Sequence, residues 1–316
     1  MQLDCAMGTP YDAGTSLCSG VFMGMANELT KDSIVPRLPK RFPDAHKGVY
    51  GHLFVLAGSR GMTGAARLAA ESAGRSGVGL VTVGAPESSA AIIASGTLES
   101  MTFGLPENAD GSFSDEAASP AIGRAKDMDA VVVGMGISQH ADTRRFIHSF
   151  LVRCPVPVVI DADGLNCVSV ATSLLRQIQS PVIITPHPGE MARLTGASVA
   201  AVQSRRESTA VDFAREYKCV VVLKGHRTIV ATPAGGCWIN PTGNSGMATG
   251  GSGDVLAGLI GGLVAQGLSV EDAGIAGVYL HGLAGDIAAE RMTERGMIAR
   301  DIVGAIPDAW RRLEAH

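Results

Sequence analysis

The chain predicts an α/β fold in which a central, mostly parallel sheet carries helices on both faces within a single domain. From Gly48 onward, short β-branched runs alternate with longer Ala-rich amphipathic runs, the order that joins strands through helical crossovers. Runs such as Ala130-Val131-Val132-Val133 lack polar residues at alternate positions, as strands buried on both faces do. Composition agrees: 40 glycines against 4% aromatic residues suit closely packed helices and loops whose backbone approaches a ligand.

Residues 1–29 show weak periodicity and are read as a variable N-terminal extension, with the domain covering residues 30–316. A short helix opens it, with Thr30 as N-cap, Asp32 in the first turn and Pro36 at its end. Residues 53–57 form a buried strand, and a 58–64 loop of small residues leads into a helix over 65–75. Further strands are expected at 80–83, 130–133, 156–160 and 182–185, with a helix near 142–151. The clearest mid-chain helix spans 201–217. Residues 220–223 and 228–231, joined through Gly225-His226, predict a hairpin. After a glycine-rich loop over 240–253 the remainder is helical, chiefly 254–265 and 271–290. In such sheets ligands bind beyond the carboxyl ends of the strands.

Charge and cysteine content narrow the function. With 26 Lys and Arg against 30 Asp and Glu, the net charge of −4 gives no basic footprint for nucleic acid or anionic membrane. Hydrophobic residues at 46% and charged residues at 18% exclude disorder as the main state. The longest strongly apolar run, 255–265, is too short to cross a bilayer, and the N-terminus lacks the positive region of a signal peptide. Six scattered cysteines without a C-x-x-C pair fit reduced thiols in a cytoplasmic protein better than a disulfide framework or zinc cage.

The glycine-rich loop ends in Thr249-Gly250-Gly251-Ser252-Gly253-Asp254 directly before an apolar helix. Small residues expose amides and the helix start adds positive charge, so Gly251, Ser252 and Gly253 are expected to form an anion hole. Asp254 either steadies the helix dipole or serves as a general base. The glycine context favours the base, because a carboxylate beside a phosphate site is repulsive unless a hydroxyl lies between them. Pro186-His187-Pro188 fixes the backbone around His187, as a ligand contact or as a surface turn. Glu190 suits either hydrated Mg²⁺ near phosphates or the start of the next helix. Asp161 and Asp163 end a strand, facing a cleft or capping a helix. Lys224-Gly225-His226-Arg227-Thr228 carries two cations, for nucleotide phosphates or for solvent. No G-x-x-x-x-G-K-[ST] is present, and Gln139 replaces the third glycine of a dinucleotide fingerprint after Gly134 and Gly136, which excludes a Walker-type NTPase and disfavours a Rossmann dehydrogenase.

Six motifs in order match one family: H-K-G-x-x-G at 46–51, G-M-T-G-A-A at 61–66, D-A-D-G-L-N at 161–166, P-H-P-G-E at 186–190, K-G-x-x-T at 224–228 and the glycine-rich run ending at Asp254. The chain resembles the ADP-dependent NAD(P)H-hydrate dehydratases of the ribokinase-like superfamily, from about residue 30 onward. The resemblance implies a hydro-lyase that dehydrates the S epimer of hydrated NADH or NADPH (NADHX or NADPHX), converting ADP to AMP and phosphate, with Mg²⁺ as cofactor. Carried over, Ala65, Gly136, His187 and Asp254 contact the hydrate, Asp254 being catalytic, while Lys224, Gly225, His226, Arg227, Thr228 and Gly253 hold the nucleotide. Met135 stands where the family usually has proline. A vitamin-precursor kinase of the same superfamily, using ATP, is the alternative. A non-catalytic nucleotide sensor is disfavoured by Asp254. Too few residues precede His46 for the epimerase domain fused to many relatives, so a separate epimerase is the expected partner. A symmetric homo-oligomer, such as a tetramer, is the expected assembly.

Overall fold

The computed structural model describes residues 26–315, so most of the expected extension lies outside the described residues. The strands are β1 Asn27–Glu28, β2 His52–Leu56, β3 Leu80–Pro86, β4 Met101–Leu105, β5 Ala130–Val133, β6 Val158–Ile160, β7 Val182–Ile184, β8 Val220–Leu223, β9 Ile229–Ala231 and β10 Cys237–Ile239. The helices are α1 Lys31–Ile34, α2 Thr63–Ser76, α3 Glu87–Ala94, α4 Ala118–Ala125, α5 Ala141–Arg153 and α6 Asp163–Ser169. They continue with α7 Pro188–Thr195, α8 Val199–Ser204, α9 Arg206–Tyr217, α10 Ser252–Ala265, α11 Val270–Met292 and α12 Ala299–Glu314.

One sheet holds the strands in the order β1-β10-β9-β8-β7-β6-β5-β2-β3-β4. From β8 to β4 every pairing is parallel, as expected. The expected hairpin is β8–β9, and β9 is antiparallel to β10 as well. The 29/30 boundary falls between β1, which pairs with β10, and α1, whose Thr30 cap accepts from the Ser33 amide at 3.3 Å.

Alternation along the strands divides the core in two. Leu53, Val55 and Val132 face α2, α10, α11 and α12, while Phe54, Leu56, Val131 and Val133 face the layer that contains α4 to α9. Both faces are covered, which is why β5 reads as an unbroken apolar run. On the first face glycine permits close approach. A methyl on Gly258 would sit 2.1 Å from the Ala69 carbonyl oxygen, and one on Gly261 2.0 Å from a Val132 methyl. Buried on almost every side, α10 is the central helix of that layer.

Two differences from the sequence reading have physical causes, while the helical remainder is borne out through α12. The helix expected over 201–217 is two helices, broken at Arg205 (φ −141°, ψ 46°). Beyond the break, Arg206 donates to the carbonyl oxygens of His226, Leu223 and Lys224, a tertiary demand that outweighs local helix propensity. The edge strands β1 and β4, and β10 next to β1, carry no strand signal in the sequence, being short or half exposed. Amphipathic α12 is a separate helix that packs its apolar side on α2 and α11.

Candidate active site

The strand order reverses at β2, with β3 on one side and β5 on the other. Such a switch point leaves a crevice beyond the carboxyl ends of the two strands. The loop after β2 leads to Ala65, and the loop after β5 carries Gly136. These two meet: a Cβ on Gly136 (φ +63°) would lie 3.2 Å from that of Ala65 and 2.9 Å from that of Met62. Hydrogen bonds zip the two loops together, from the Gly58 amide to the Met135 carbonyl oxygen (2.8 Å) and from Ser59 Oγ to that of Gly136 (2.7 Å). Met135, in place of proline, is fully buried beneath this turn.

Three strands away, residues 224–228 follow β8 and border a cavity of about 780 Å³. All five line it, with His187, Ser252 and Gly253; Ala65, Gly136 and Asp254 do not. The nucleotide residues named from the sequence therefore share one chamber, which His187, named for the hydrate, also lines, while Ala65 and Gly136 form a separate surface. Between them lies the start of α10. Gly251 enters it at φ +93° and no side chain caps it, leaving first-turn amides without intrahelical partners. Its partial positive charge favours an anion there.

Asp254 sits in that first turn. Burial, then the charges of Asp161 and Asp163, push its carboxyl up to about 7, against the opposing pull of Lys224. This places it where a general base for neutral pH belongs. Lys224 is not a solvated cation: its Nζ lies 2.5 Å from Asp161 Oδ1 and 3.8 Å from Glu190 Oε2. Burial opposes its charge, but Asp161 and Glu190 outweigh it and hold the ammonium above the usual lysine range. Arg227, the second cation of the turn, pairs with Glu28 of β1 at 2.5 Å. The loop thus offers the cavity its backbone more than two unpaired cations.

His187 is the N-cap of α7. Its Nδ1 accepts from the Gly189 and Glu190 amides at 2.9 and 3.3 Å, which leaves the ring proton on Nε2. Burial, with Lys224 and Arg193, lowers its basicity, so the ring is neutral. Glu190 completes the capping box, Oε2 accepting from the His187 amide at 2.7 Å. Of its two alternatives, the helix-start role is the one with direct contacts. Among the described residues no three His, Cys, Asp or Glu side chains gather to hold a metal. A hydrated Mg²⁺ would therefore have to be held chiefly by phosphates, since the Glu190 carboxylate already meets the His187 amide and Lys224.

Some supporting residues gave no sequence signal. His281 of α11 lines the cavity, is held neutral by burial with its basicity lowered to about 4, and its Nε2 has no hydrogen-bond partner. Asp286, one turn on, accepts from the Gly243 amide and Asn244 Nδ2 at 3.0 and 2.9 Å, pinning the glycine-rich loop. Both lie in an apolar-looking helix, where only tertiary placement reveals them.

A family model described as NAD(P)H-hydrate dehydratase matches residues 53–308. The bifunctional NAD(P)H-hydrate repair enzyme of Moorella thermoacetica is 45% identical over 278 residues, covering 88% of this chain and 52% of that one. The chain thus spans about half the length of the first curated relatives it matches. Among solved structures, the ADP/ATP-dependent NAD(P)H-hydrate dehydratase of Bacillus subtilis, co-crystallised with ATP/Mg²⁺, superposes with a TM-score of 0.78 at 32% identity, over 92% of this chain and 99% of that one. A ribokinase-like superfamily protein from Enterococcus faecalis gives 0.78 at 27% identity, over 91% and 96%. The fold is ribokinase-like, and the chain belongs to the NAD(P)H-hydrate dehydratase family. Among the described residues no helix is long and apolar enough to cross a membrane.

Proposed function

We propose that this family member dehydrates the S epimer of NADHX or NADPHX back to the reduced cofactor, with ADP converted to AMP and phosphate. The observation that carries this reading is Asp254: a half-buried carboxyl pushed up to about 7 at an uncapped helix start, between the cavity lined by residues 224–228 and the Ala65–Gly136 surface.

Hydroxide is a poor leaving group, so unassisted loss of water from the hydrated ring is slow. In the proposed reaction Asp254 takes the proton of the ring hydroxyl as its oxygen attacks the β-phosphorus of ADP. The bond from that phosphorus to the bridging oxygen breaks, and AMP leaves. Amides of Gly251, Ser252 and Gly253, with the helix start, steady the charge on the transferring group. The ring nitrogen then pushes out phosphate, and loss of a proton from the neighbouring carbon restores the reduced nicotinamide. His187, with its Nε2 proton, hydrogen-bonds the hydrate. Mg²⁺, if bound with the nucleotide, would be held chiefly by the phosphates, with Glu190 the side chain named for it, and would supply positive charge. Interconversion of the R and S hydrates needs an epimerase activity, whichever chain carries it.

Incubation with ADP and hydrated NADH, followed at the reduced-nicotinamide absorbance, tests the reading. Absorbance is expected to rise, with one AMP formed per NADH. A stable phosphorylated product of another alcohol, formed from ATP without any rise, would establish the vitamin-precursor kinase instead.

A further inference from the structure

The Asp161-Ala162-Asp163 segment places two carboxylates side by side in sequence but not in space. In a strand, residues i and i+2 share a face. Here Ala162 adopts φ 52°, ψ −124°, a conformation rare outside glycine, and the two side chains meet different partners. Asp161, 1% exposed, pairs through Oδ1 with Lys224 Nζ. The pair lies against Gly253, where a Cβ would be 3.4 Å from Lys224 Nζ and 3.7 Å from Asp161 Oδ2. Asp163 serves the other loop. Its Oδ2 accepts from the Ser138 amide at 3.1 Å, and its Oδ1 from Gln139 Nε2 at 3.0 Å and Asn166 Nδ2 at 3.2 Å. Ser138 is itself at φ +74°, a backbone conformation that needs such a clamp.

The segment is locked in place from behind. The Asp161 amide donates to the Val133 carbonyl oxygen at 3.1 Å, and a Cβ on Gly134 would strike the Asp161 carbonyl oxygen at 1.9 Å. The chain that carries Gly136 and the chain that carries both carboxylates therefore form one rigid unit beneath the cleft.

We propose that Asp161 and Asp163 are positioning residues with divided duties: Asp161 holds the Lys224 ammonium beneath the phosphoryl-transfer floor at Gly253, and Asp163 shapes the 134–139 loop that contacts the hydrate. The inference rests on the proposed reaction and deepens it. It gives Lys224 a task other than gripping the nucleotide in the resting complex. An ammonium fixed behind the transferring group opposes the charge that grows there, so its benefit falls on turnover.

The test is steady-state kinetics with ADP and NADHX for Asp161→Asn, Lys224→Met, Asp163→Ala and Asp163→Asn, with melting temperatures alongside. Asp161→Asn and Lys224→Met are expected to lower kcat by about tenfold or more while leaving both KM values near wild type. Asp163→Ala is expected to act mainly on KM for the hydrate, raising it about tenfold, and Asp163→Asn, which keeps one acceptor, should fall between. If Asp163→Ala does not fold, the Asn variant carries that arm. A rise in KM for ADP with kcat intact in Lys224→Met, or the same defect from both aspartates, overturns the inference. Wild-type enzyme that does not form NADH from the hydrate and ADP overturns the proposed function and this inference together. Active wild type with undivided defects overturns the inference alone.

Discussion

The two faces of the sheet are built differently. Among the described residues, the core of the face carrying α2, α10, α11 and α12 holds no phenylalanine, and α10 packs there through Gly258, Gly261 and Gly262. The opposite face fills its volume with Phe54, Phe113, Phe146, Phe150 and Phe213, the rings of Phe113 and Phe146 stacked at 4.7 Å. Where α10 comes this close to the Ala69 backbone, a shift of the helix meets a collision at once. Asp254 rides on that helix. The difference teaches that the glycine-packed face fixes where α10 and Asp254 stand, while the aromatic face fills volume beneath the helices that carry Asp163 and His187.

The largest effect should come from the residue that the glycine-packed face positions. Asp254→Asn is expected to lower turnover by roughly 10²- to 10⁴-fold, with AMP binding retained by calorimetry. Equal turnover would remove the chemistry from this face. Next, Phe146→Ala on the aromatic face should cost about 3–5 kcal/mol in denaturant unfolding. The kcat of the folded fraction should hold. A proportionate fall in kcat would erase the contrast between the faces. Gly258→Ala should cost less stability, about 1–3 kcal/mol, yet reduce kcat, because α10 must move off Ala69. The smallest effect is pH dependence. A base with its carboxyl near 7 makes the rate rise with pH through that value. Stability runs the other way. The folded-state value lies above the unfolded one, so the contribution of Asp254 is full below about pH 4 and lost as pH rises through 7. Asp254→Asn should therefore melt at a higher temperature than wild type at pH 8 and show no such gain at pH 4.

Legibility followed locality. β5 matched its expected bounds because four consecutive apolar residues between Asp129 and Gly134 define it. The hairpin at Gly225-His226 and the Thr30 cap were readable for the same local reason. In the site, the loops were found from glycine content and strand ends, and residues 224–228 do line one cavity. What the sequence could not show was direction. Nothing local says that Lys224 turns inward to Asp161 while Arg227 turns outward to Glu28. Nor does the spacing of Asp161 and Asp163 reveal that Ala162 sends them to different loops. Arg206, which splits an expected helix, and His281 and Asp286, hidden in α11, act through partners far away in sequence.

Backbone donors that greet a phosphoryl group in flight have no means of refusing one that has already departed. Inorganic phosphate released in the cleft would linger at the bare amides opening α10, slowing the next cycle. If Gly251, Ser252 and Gly253 bind phosphate as proposed, accumulated orthophosphate would act as a brake on turnover, and an amine or sulfonate buffer would avoid it.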